Sequence, residues 1–497
     1  MDTKQQSTSM LEMVTQSINN FEQATQPTIL PTSSSPEEVI EHLISCARPI
    51  DFDAIANNPD GKKANVIQKT VITIDEFKKI ADQNNRNITI IKGEIFIYNG
   101  VYWQNLEENE AKYLLGKVAE AMNYDSIDSQ FYRTRDRLYN QLHSAAYTPE
   151  DSSETKCETV LVNFRNGTLE VNETGAILRE HRPEDKLTYC LKYDYDPNAK
   201  CDKFYTFLNQ MLPDIESQVI LFEYLGYTLT KYLKLEKFLL LLGEGKNGKS
   251  VIYEIVRKLF GEENVCNLSL EEVTKDKGYC RIDLHNKLLN YGSDIGGRYD
   301  PIVLKKMTSG EPIYARAIRK QHITMCNYAK QMYNANQLPK ESSEYTQGLL
   351  RRFLILKFTI TVEDKDVNVN LAKEICETDL PGIFNMVLEG LQKILKQKRF
   401  SPCAASDKIL NEFVEEVNPL SEFLEYENYT HSTKSYMALK FLYDEYANFC
   451  SRTRTIPVGY KVFSRLLKQQ NFKVNAARKS KVDDNTARMQ SIKQLGV

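Results

Sequence analysis

The sequence predicts an α/β protein built around a parallel sheet, and three consecutive stretches carry that prediction. Residues 238–242 form a short, wholly apolar run, which is typical of a strand buried on both faces of a parallel sheet. A glycine-rich loop follows, and residues 251–260 then place apolar side chains at helical spacing until Gly261. Strand, glycine loop and helix in this order are the context of a phosphate-binding loop.

The loop between the predicted strand and helix has the spacing G-x-x-x-x-G-K-S. Its eight residues are Gly243, Glu244, Gly245, Lys246, Asn247, Gly248, Lys249 and Ser250. Glycines let the backbone turn its N–H groups towards phosphate oxygens, and the helix amino terminus adds partial positive charge. We therefore expect Lys249 to reach the β- and γ-phosphates of ATP and the Ser250 hydroxyl to ligate Mg²⁺. A glycine-rich turn that matches by chance is the alternative, and the flanking strand and helix argue against it.

Composition sets the outer bounds on the class of protein. A chain of 497 residues suggests two to four domains, and its 41% hydrophobic and 26% charged residues are those of a soluble globular protein. It contains neither an apolar run of about 20 residues nor a signal-peptide core, so we expect a cytoplasmic protein without a membrane partner. Ten scattered cysteines and six histidines give neither a disulfide framework nor a zinc site. With a net charge of −3, any nucleic-acid contact must come from local patches.

The chain order predicts five segments. Residues 1–65, rich in Gln, Ser, Thr and Pro at their start, are predicted to be a disordered tail and linker. Residues 66–200 predict a mixed α+β domain with hairpins that turn at Asn99-Gly100 and Asn166-Gly167. Residues 201–236 predict a helical collar for oligomerisation, interrupted at Pro213. An ATPase core over residues 237–398 and a DNA-binding domain over residues 399–497 complete the chain.

Several motifs together resemble a known family. They are Val162-Asn163-Phe164-Arg165-Asn166-Gly167, Tyr193-Asp194-Tyr195-Asp196-Pro197, Tyr224-Leu225-Gly226-Tyr227 and the phosphate loop. In this order they resemble the phage and plasmid primase-helicases, in which a poxvirus-type amino-terminal domain precedes a superfamily III helicase core. The resemblance covers roughly residues 85–495 and implies an AAA+-like ATPase that assembles as a homo-oligomeric ring, expected to be a hexamer. Members often carry a primase domain upstream, and we expect a helicase without one here, partnered by a separate primase and polymerase.

The resemblance also implies roles for three residues that follow the phosphate loop. Asp294, after a predicted strand at residues 287–291, matches the acidic position and is expected to bind Mg²⁺, to activate the attacking water, or both. Asn336, after an apolar run, matches the γ-phosphate sensor, because an amide can donate to phosphate and accept from water. Arg352 is preferred over Arg351 as the arginine finger that reaches the ATP of a neighbouring subunit. A turn-capping role for Asp294 and a core ion pair for either arginine are the alternatives.

Residues 304–313 resemble the family's K-x-x-T-G-G-D signature, with Ser309 and Glu311 as departures. In the family this region leads into a hairpin that projects into the pore of the ring. Three cations follow it in this chain, namely Arg316, Arg319 and Lys320. We expect them to grip the phosphates of single-stranded DNA, although a solvated charged face is the ordinary reading of such a run.

The last hundred residues predict a winged-helix-like domain. Helices are predicted over 420–426, 436–449 and 458–470, with strands around residues 483–485. The end of the chain is basic, and the cations assigned to duplex DNA binding are Arg478, Lys479 and Lys481.

These observations predict an ATP-dependent DNA helicase that acts in the replication of a phage, plasmid or other mobile element. A replication initiator that melts an origin and uses ATP as an assembly switch is the first alternative. A small-molecule kinase with a phosphate-binding loop is the second, and it explains neither the Asn336 and Arg352 motifs nor the basic end of the chain. Forked-substrate unwinding separates the helicase from the initiator, and ligand screening would reveal the kinase.

Overall fold

A computed structural model describes residues 35–91, 93–147, 159–275, 278–293, 295, 299–316, 322–338, 347–416, 419–431, 437–453, 455–470, 472–474, 489–490 and 492–494. The chain divides into two compact units. The first comprises Met1–Cys157, Leu161–Glu170 and Ile177–Tyr195, and the second comprises Glu158–Val160, Val171–Ala176 and Asp196–Val497. None of the helices in the described ranges is both long enough and apolar enough to cross a membrane.

The first unit packs helices against short antiparallel sheets. Its helices are α1 (Pro36–Cys46), α2 (Phe52–Ala56), α3 (Val66–Gln83), α4 (Glu108–Ala121), α5 (Ser126–Gln130) and α6 (Tyr132–Ala145). One sheet has the order β1 (Ile88–Ile91), β2 (Glu94–Tyr98) and β3 (Trp103–Leu106). The other has the order β4 (Val160–Phe164), β5 (Gly167–Val171) and β6 (Ala176–Arg179). Asn99-Gly100 lies between the paired strands β2 and β3, and Asn166-Gly167 leads from β4 into the neighbouring β5, so the two predicted hairpins are confirmed.

Residues 36–65, predicted as the end of a disordered tail followed by a linker or weak helix, contain packed helices in the structure. Helix α1 begins at a capping box in which Ser35 and Glu38 bond each other's backbone N–H, and Val39 and Leu43 are fully buried in the first unit's core. The error arose because the Pro- and Ser-rich run ends directly at the cap of α1. Composition averaged over that boundary hid an eleven-residue amphipathic helix.

The second unit contains the longer series of elements. Its helices are α7 (Asp202–Met211), α8 (Ile215–Thr228), α9 (Lys249–Phe260), α10 (Leu270–Thr274), α11 (Pro301–Thr308), α12 (Gln347–Leu350), α13 (Leu371–Thr378), α14 (Leu380–Gln397), α15 (Ala404–Glu416), α16 (Leu420–Tyr426), α17 (Leu439–Thr453) and α18 (Tyr460–Gln469). Its strands are β7 (Phe238–Leu242), β8 (Val265–Cys266), β9 (Leu289–Gly292), β10 (Ile313–Arg316), β11 (His322–Met325), β12 (Lys330–Ala335), β13 (Phe353–Lys357), β14 (Tyr429–His431), β15 (Met437–Ala438), β16 (Met489–Gln490) and β17 (Ile492–Gln494).

Five of these strands form the predicted parallel sheet, in the order β13-β7-β12-β9-β8. Every neighbouring pair is parallel, and all five residues of β7 are buried. In register, Leu242 at the end of β7 lies beside Ala335 on one side and Lys357 on the other. The strands therefore end together along one side of the sheet, here called the carboxyl edge, and begin together along the other, here called the amino edge.

Helices α8 and α14 pack closely enough to require glycine on each. A Cβ atom on Gly226 would lie 2.6 Å from the backbone nitrogen of Leu391, and one on Gly390 would lie 2.5 Å from the carbonyl carbon of Phe222. The predicted break at Pro213 separates α7 from α8, as expected. Helix α8 ends at Thr228, earlier than the helical pattern to residue 235 suggested.

The carboxy-terminal part of the second unit has its own apolar core, built from α16, α17, α18 and the residues that follow them. The three helices lie close to their predicted positions. The strands β14 and β17 pair antiparallel, as do β15 and β16. The strands predicted around residues 483–485 lie outside the described residues.

Candidate nucleotide site

The glycine loop leaves the carboxyl edge directly from β7. The Gly243 N–H donates to the Ala335 carbonyl at 3.0 Å, which joins the start of the loop to the end of β12. Gly245 and Gly248 have φ values of 107° and 79°, in the region that favours glycine. A Cβ atom on Gly243 would lie 2.0 Å from the Asn247 side-chain nitrogen and 2.6 Å from the Phe358 carbonyl oxygen, so the backbone leaves room only for glycine there. The loop conformation therefore depends on the glycines that the sequence motif supplies.

Lys249 is buried inside this loop. Its ammonium donates to the Gly243 carbonyl at 2.5 Å and to the Asn247 side-chain oxygen at 3.1 Å. Burial lowers its pKa below the usual value for lysine. The Asn247 amide also donates to the Phe358 carbonyl at 3.4 Å, which ties the loop to the end of β13. The lysine is thus held at the centre of the loop by groups that an anion can replace.

Helix α9 begins in the arrangement that binds anions. Its N-cap is Gly248, which has no side-chain oxygen to satisfy the first N–H groups. Ser250 is exposed in the first turn, as are Glu244, Gly245 and Lys246 in the loop. The residues present fit the phosphates of a nucleotide, and the Ser250 hydroxyl is a hard oxygen donor of the class that Mg²⁺ prefers.

Asn336 lies beside the loop, because it directly follows β12 and the preceding Ala335 carbonyl accepts from Gly243. Its side chain is exposed. Asp294 lies outside the described residues. The strand before it, β9, ends at Gly292 next to β12, so the chain enters that segment from the same carboxyl edge. The predicted sensor thus follows the strand next to the phosphate loop, and the predicted acidic segment follows the next strand along the same edge.

Sequence reasoning missed a buried polar network that connects β9 to β12. The Asn290 amide donates to the Gln331 oxygen at 3.0 Å and to the Tyr333 hydroxyl at 3.3 Å. The Tyr291 hydroxyl donates to the Asn334 oxygen at 2.9 Å. Buried networks of this kind fix strand register. The alternation of polar residues in two otherwise apolar strands was the signal available in the sequence.

Arg352 lies at the amino edge, away from the loop of its own chain. Its exposure is only 7%, and its guanidinium donates to the Ser309 hydroxyl at 2.7 Å and pairs with Glu236 at 3.1 Å. Burial lowers the pKa of Arg352, and Glu236 opposes that shift. The Arg351 side chain is 62% exposed and pairs with the same Glu236 oxygen at 2.8 Å. Glu236 therefore holds both arginines, and Arg351 is the more accessible.

The predicted hairpin exists as the antiparallel pair β10 and β11. Arg316 lies at the end of β10, with its guanidinium 5.9 Å from the centre of the Tyr279 ring. The buried Arg281 donates to the Tyr314 carbonyl at 3.3 Å and to the Val273 carbonyl at 2.8 Å, which anchors the base of the hairpin. Tyr314, 68% exposed, presents an aromatic ring that the sequence reading passed over.

The remaining predicted DNA contacts cannot be placed. Arg319 and Lys320, between the two hairpin strands, lie outside the described residues. The same holds for Arg478, Lys479 and Lys481 near the end of the chain.

Two family models match the chain. Residues 74–213 match the family described as D5 N terminal like, and residues 241–352 match a family of unknown function, DUF5906. The second match contains the phosphate loop, Asn336 and Arg352. The chain therefore carries a D5 N-terminal-like match followed by a DUF5906 match. The resemblance predicted from the sequence motifs is thereby confirmed.

A protein of Acanthamoeba polyphaga mimivirus named "Putative helicase" is 23% identical over 261 residues. The match covers 49% of this chain and 26% of the relative, so the chain spans about a quarter of that curated protein. Among solved structures, an apo structure of the NrS-1 C-terminal region is 12% identical with a TM-score of 0.42. Its A-form apo structure is 11% identical with a TM-score of 0.40, and each match covers 84% of this chain and 98% of that chain.

Proposed function

We propose that this chain is an ATP-dependent DNA helicase of the superfamily III type, acting as a ring in the replication of a mobile element. The observation that carries the proposal is the placement of the predicted ATP residues on opposite edges of one sheet. The phosphate loop and Asn336 lie at the carboxyl edge, and Arg352 lies at the amino edge. A site completed by Arg352 would therefore take that arginine from a second copy of the chain.

The separation follows from the parallel pairing of β7 and β13. The Phe238 N–H, at the start of β7, donates to the Arg352 carbonyl at 2.9 Å. The five residues of β7 then span about 16 Å before the loop begins. Arg352 and the phosphate loop of the same chain thus lie at opposite ends of that strand. An arginine placed this way suits action on the nucleotide of a neighbouring subunit.

The residues at the carboxyl edge would divide the chemistry of hydrolysis. Lys249 is proposed to release its internal carbonyl and amide partners and to bind the β- and γ-phosphates. Bound Mg²⁺ would neutralise phosphate charge, with Ser250 and Asp294 as its proposed protein ligands. Asn336 would orient the attacking water through its amide. Arg352 of the neighbouring copy would stabilise the charge that develops on the transferred phosphoryl group.

The hairpin would convert this cycle into movement along DNA. Arg316 lies near its tip, and the exposed Tyr314 ring offers a surface on which a base can stack. A cation beside an aromatic ring is the usual pairing in proteins that bind single strands without sequence preference. The Arg281 contacts hold the hairpin base to the α10 segment, so force on the tip is transmitted to the ATPase core.

The mimivirus relative supports helicase function only in outline, because its match covers about half of this chain. The proposal therefore needs a direct test of ATP hydrolysis and unwinding. The variant is Lys249→Ala, and the matched control is Lys258→Ala, which removes an exposed lysine from the far end of the same helix. We expect Lys249→Ala to lower ATP hydrolysis by at least about 10² and to stop unwinding of a forked DNA, because the buried charge on the phosphates is lost.

Lys258→Ala should match the wild type in both assays. Full ATPase activity in Lys249→Ala would remove the phosphate-loop assignment. A wild type that binds ATP and melts a duplex origin without unwinding forks would support the initiator instead.

A further inference from the structure

A cavity of about 670 Å³ lies at the amino edge of the parallel sheet. It is lined by the segment before β7, by Arg351 and the start of β13, by the loop after α14 and by one side of α15. It is therefore separate from the phosphate loop. Its volume is within the range of about 300–1,000 Å³ typical of small-molecule sites. No role proposed so far uses it.

The cavity has an excess of positive charge. Five lining side chains are cationic, and two, Glu236 and Asp407, are acidic. The cations are Lys234, Lys237, Arg351, Lys398 and Arg399. The Glu236 carboxylate is shared between Arg351 and Arg352, which lowers the charge it can offer to the cavity. The lining therefore carries more cationic charge than its own carboxylates neutralise.

The cationic side chains differ in whether they already have a hydrogen-bond or ion-pair partner in the protein. Lys237 donates to the Arg351 carbonyl at 2.5 Å, and Lys234 donates to the Gly310 carbonyl at 3.2 Å. Within the described ranges, the side chains of Lys398 and Arg399 have neither a hydrogen bond nor an ion pair, and both are exposed. Burial lowers the pKa of Lys237, the Asp407 carboxylate partly opposes that shift, and the neighbouring Arg351 lowers the pKa further. A bound anion would relieve that repulsion.

A buried carboxylate, that of Glu223, holds the loop that carries Lys398 and Arg399. Glu223 is fully buried in α8, and it accepts from the Ser401 N–H at 2.8 Å and the Ser401 hydroxyl at 2.5 Å. Lys393 pairs with the same carboxylate at 3.2 Å. A buried charge with several partners rigidifies its surroundings.

An aromatic stack supports the same loop. Phe400 follows the two cations in the sequence, and its ring stacks on Tyr224 with 6.0 Å between ring centres. It also meets Tyr227 edge-to-face at 5.6 Å. The two unpartnered cations are thus carried by a loop whose position is set in advance, which reduces the entropy lost on binding.

We propose that this cavity binds the phosphates of a nucleoside phosphate unit, either a free nucleotide or one unit of a nucleic-acid strand. Arg351 offers a planar guanidinium that can form two parallel hydrogen bonds to phosphate, and the lysines act as point charges. The half-buried Phe400 ring lines the same cavity and offers an apolar surface to the nucleoside. The inference does not depend on ATP hydrolysis at the phosphate loop.

The test compares two double variants. The first carries both Lys398→Ala and Arg399→Ala, and the matched control carries both Lys396→Ala and Lys408→Ala. The control removes the same charge from two exposed lysines that do not line the cavity. All proteins also carry Lys249→Ala, which weakens binding at the phosphate loop. A fluorescent twelve-residue oligothymidylate is titrated at several salt concentrations. Loss of two contacts to a single strand should reduce the slope of log affinity against log salt by about 1.4.

A second measurement locates the binding. Lysines of the Lys249→Ala protein are acetylated under limiting conditions with oligothymidylate, thymidine 3′,5′-bisphosphate or a glutamate peptide of equal charge, and the modified residues are quantified by mass spectrometry. We expect the first or second ligand to protect Lys398 and Lys237 several-fold while Lys408 is unchanged. Protection by the strand alone identifies a nucleic-acid site, and protection by the bisphosphate identifies a nucleotide site.

Equal protection by the glutamate peptide would overturn the proposal, because the cavity would then recognise charge alone. Protection by neither phosphate ligand would also overturn it, as would equal loss of affinity in the control double variant. None of these readouts measures ATP hydrolysis. A failure here therefore differs from a failure of the proposed helicase activity.

Discussion

The two edges of the parallel sheet present positively charged side chains in different ways. At the carboxyl edge, the phosphate loop takes its residues from eight consecutive positions, 243–250, and its single buried cation is satisfied internally. At the amino edge, the cationic residues come from separate stretches near positions 234–237, 351 and 398–399. The first arrangement depends on local backbone geometry, and the second depends on the packing of α8, α14 and β13.

This difference predicts how binding at each edge should respond to mutation. A local loop tolerates disturbance elsewhere in the fold but loses function when one of its own residues is replaced. An assembled surface is sensitive to distant packing, because every segment that carries a cation must be held in place. The following experiments test that contrast, beginning with the largest expected effect.

The largest effect, on the rate of ATP hydrolysis, is expected from replacing the arginine that is proposed to reach the nucleotide of a neighbouring subunit. Arginine fingers supplied by a neighbour are worth about 10³ to 10⁵ in rate in other phosphoryl-transfer enzymes. Arg352→Ala alone should therefore lose ATPase activity to that extent. Mixing Arg352→Ala with Lys249→Ala subunits should restore part of it, because some interfaces combine an intact loop with an intact arginine.

Arg352 is buried, so its loss also leaves Ser309 and Glu236 with fewer partners, and folding must be checked by thermal unfolding. The parallel variant Arg351→Ala changes the exposed member of the pair. If Arg351→Ala shows the loss and the recovery while Arg352→Ala shows neither, then the finger is Arg351. Absence of recovery for both, despite demonstrated co-assembly, would contradict a shared site.

The structure at the carboxyl edge was predictable because the residues that determine it are consecutive in the sequence. The strand at Phe238–Leu242, the loop and the helix ending before Gly261 occur where the sequence placed them. The parallel sheet and both hairpin turns in the first unit were predictable for the same reason, since short-range patterns determine them. The placement of Asn336 beside the loop followed from strand pairing, once β12 was recognised as a strand.

The amino edge was not predictable in this way. Nothing in the spacing of Lys237, Arg351 and Lys398 indicates that they line one cavity. The burial of Arg352 on Glu236 depends on the register of β13 with β7, which the sequence does not specify. The order of helix α1 was underestimated for a different reason, because composition was averaged across its cap.

A smaller effect is expected from Gly390→Ala. The added methyl group would lie 2.5 Å from the backbone of Phe222, so α14 must move away from α8. Overpacking of this kind costs about 1–3 kcal/mol in free energy of unfolding. The control is Gly175→Ala, where the ideal Cβ position has no heavy atom within 4 Å. Chemical denaturation of both variants measures the difference.

The same pair of variants sharpens the contrast between the edges. Movement of α14 should displace the loop that carries Lys398, so oligonucleotide binding at the cavity should weaken in Gly390→Ala. Nucleotide binding at the phosphate loop should change less. Equal weakening at both edges would show that the two sites are not packed independently.

The smallest effect concerns Lys330, at the start of β12. Its ammonium lies 4.3 Å from the centre of the Tyr227 ring, and burial together with the nearby Lys234 lowers its pKa to about 8. Burial raises the pKa of Tyr227 to about 12, so that ring stays neutral below that pH. An unfolded lysine has a pKa of about 10.4.

The sign of the pH effect follows from these values. Between about pH 8 and pH 10, the unfolded state keeps the Lys330 proton while the folded state loses it, so the contribution to folding stability rises with pH. Below pH 8 both states hold the proton and the contribution is constant. One proton gives a slope of at most about 1.4 kcal/mol per pH unit. Wild type should therefore gain about 1 kcal/mol relative to Lys330→Met from pH 7 to pH 8.5, whereas the exposed control Lys396→Met should track the wild type. A constant difference between wild type and Lys330→Met over that range would mean that the ring and solvent keep the ammonium charged, and that the amino edge tolerates its excess of positive charge without titrating.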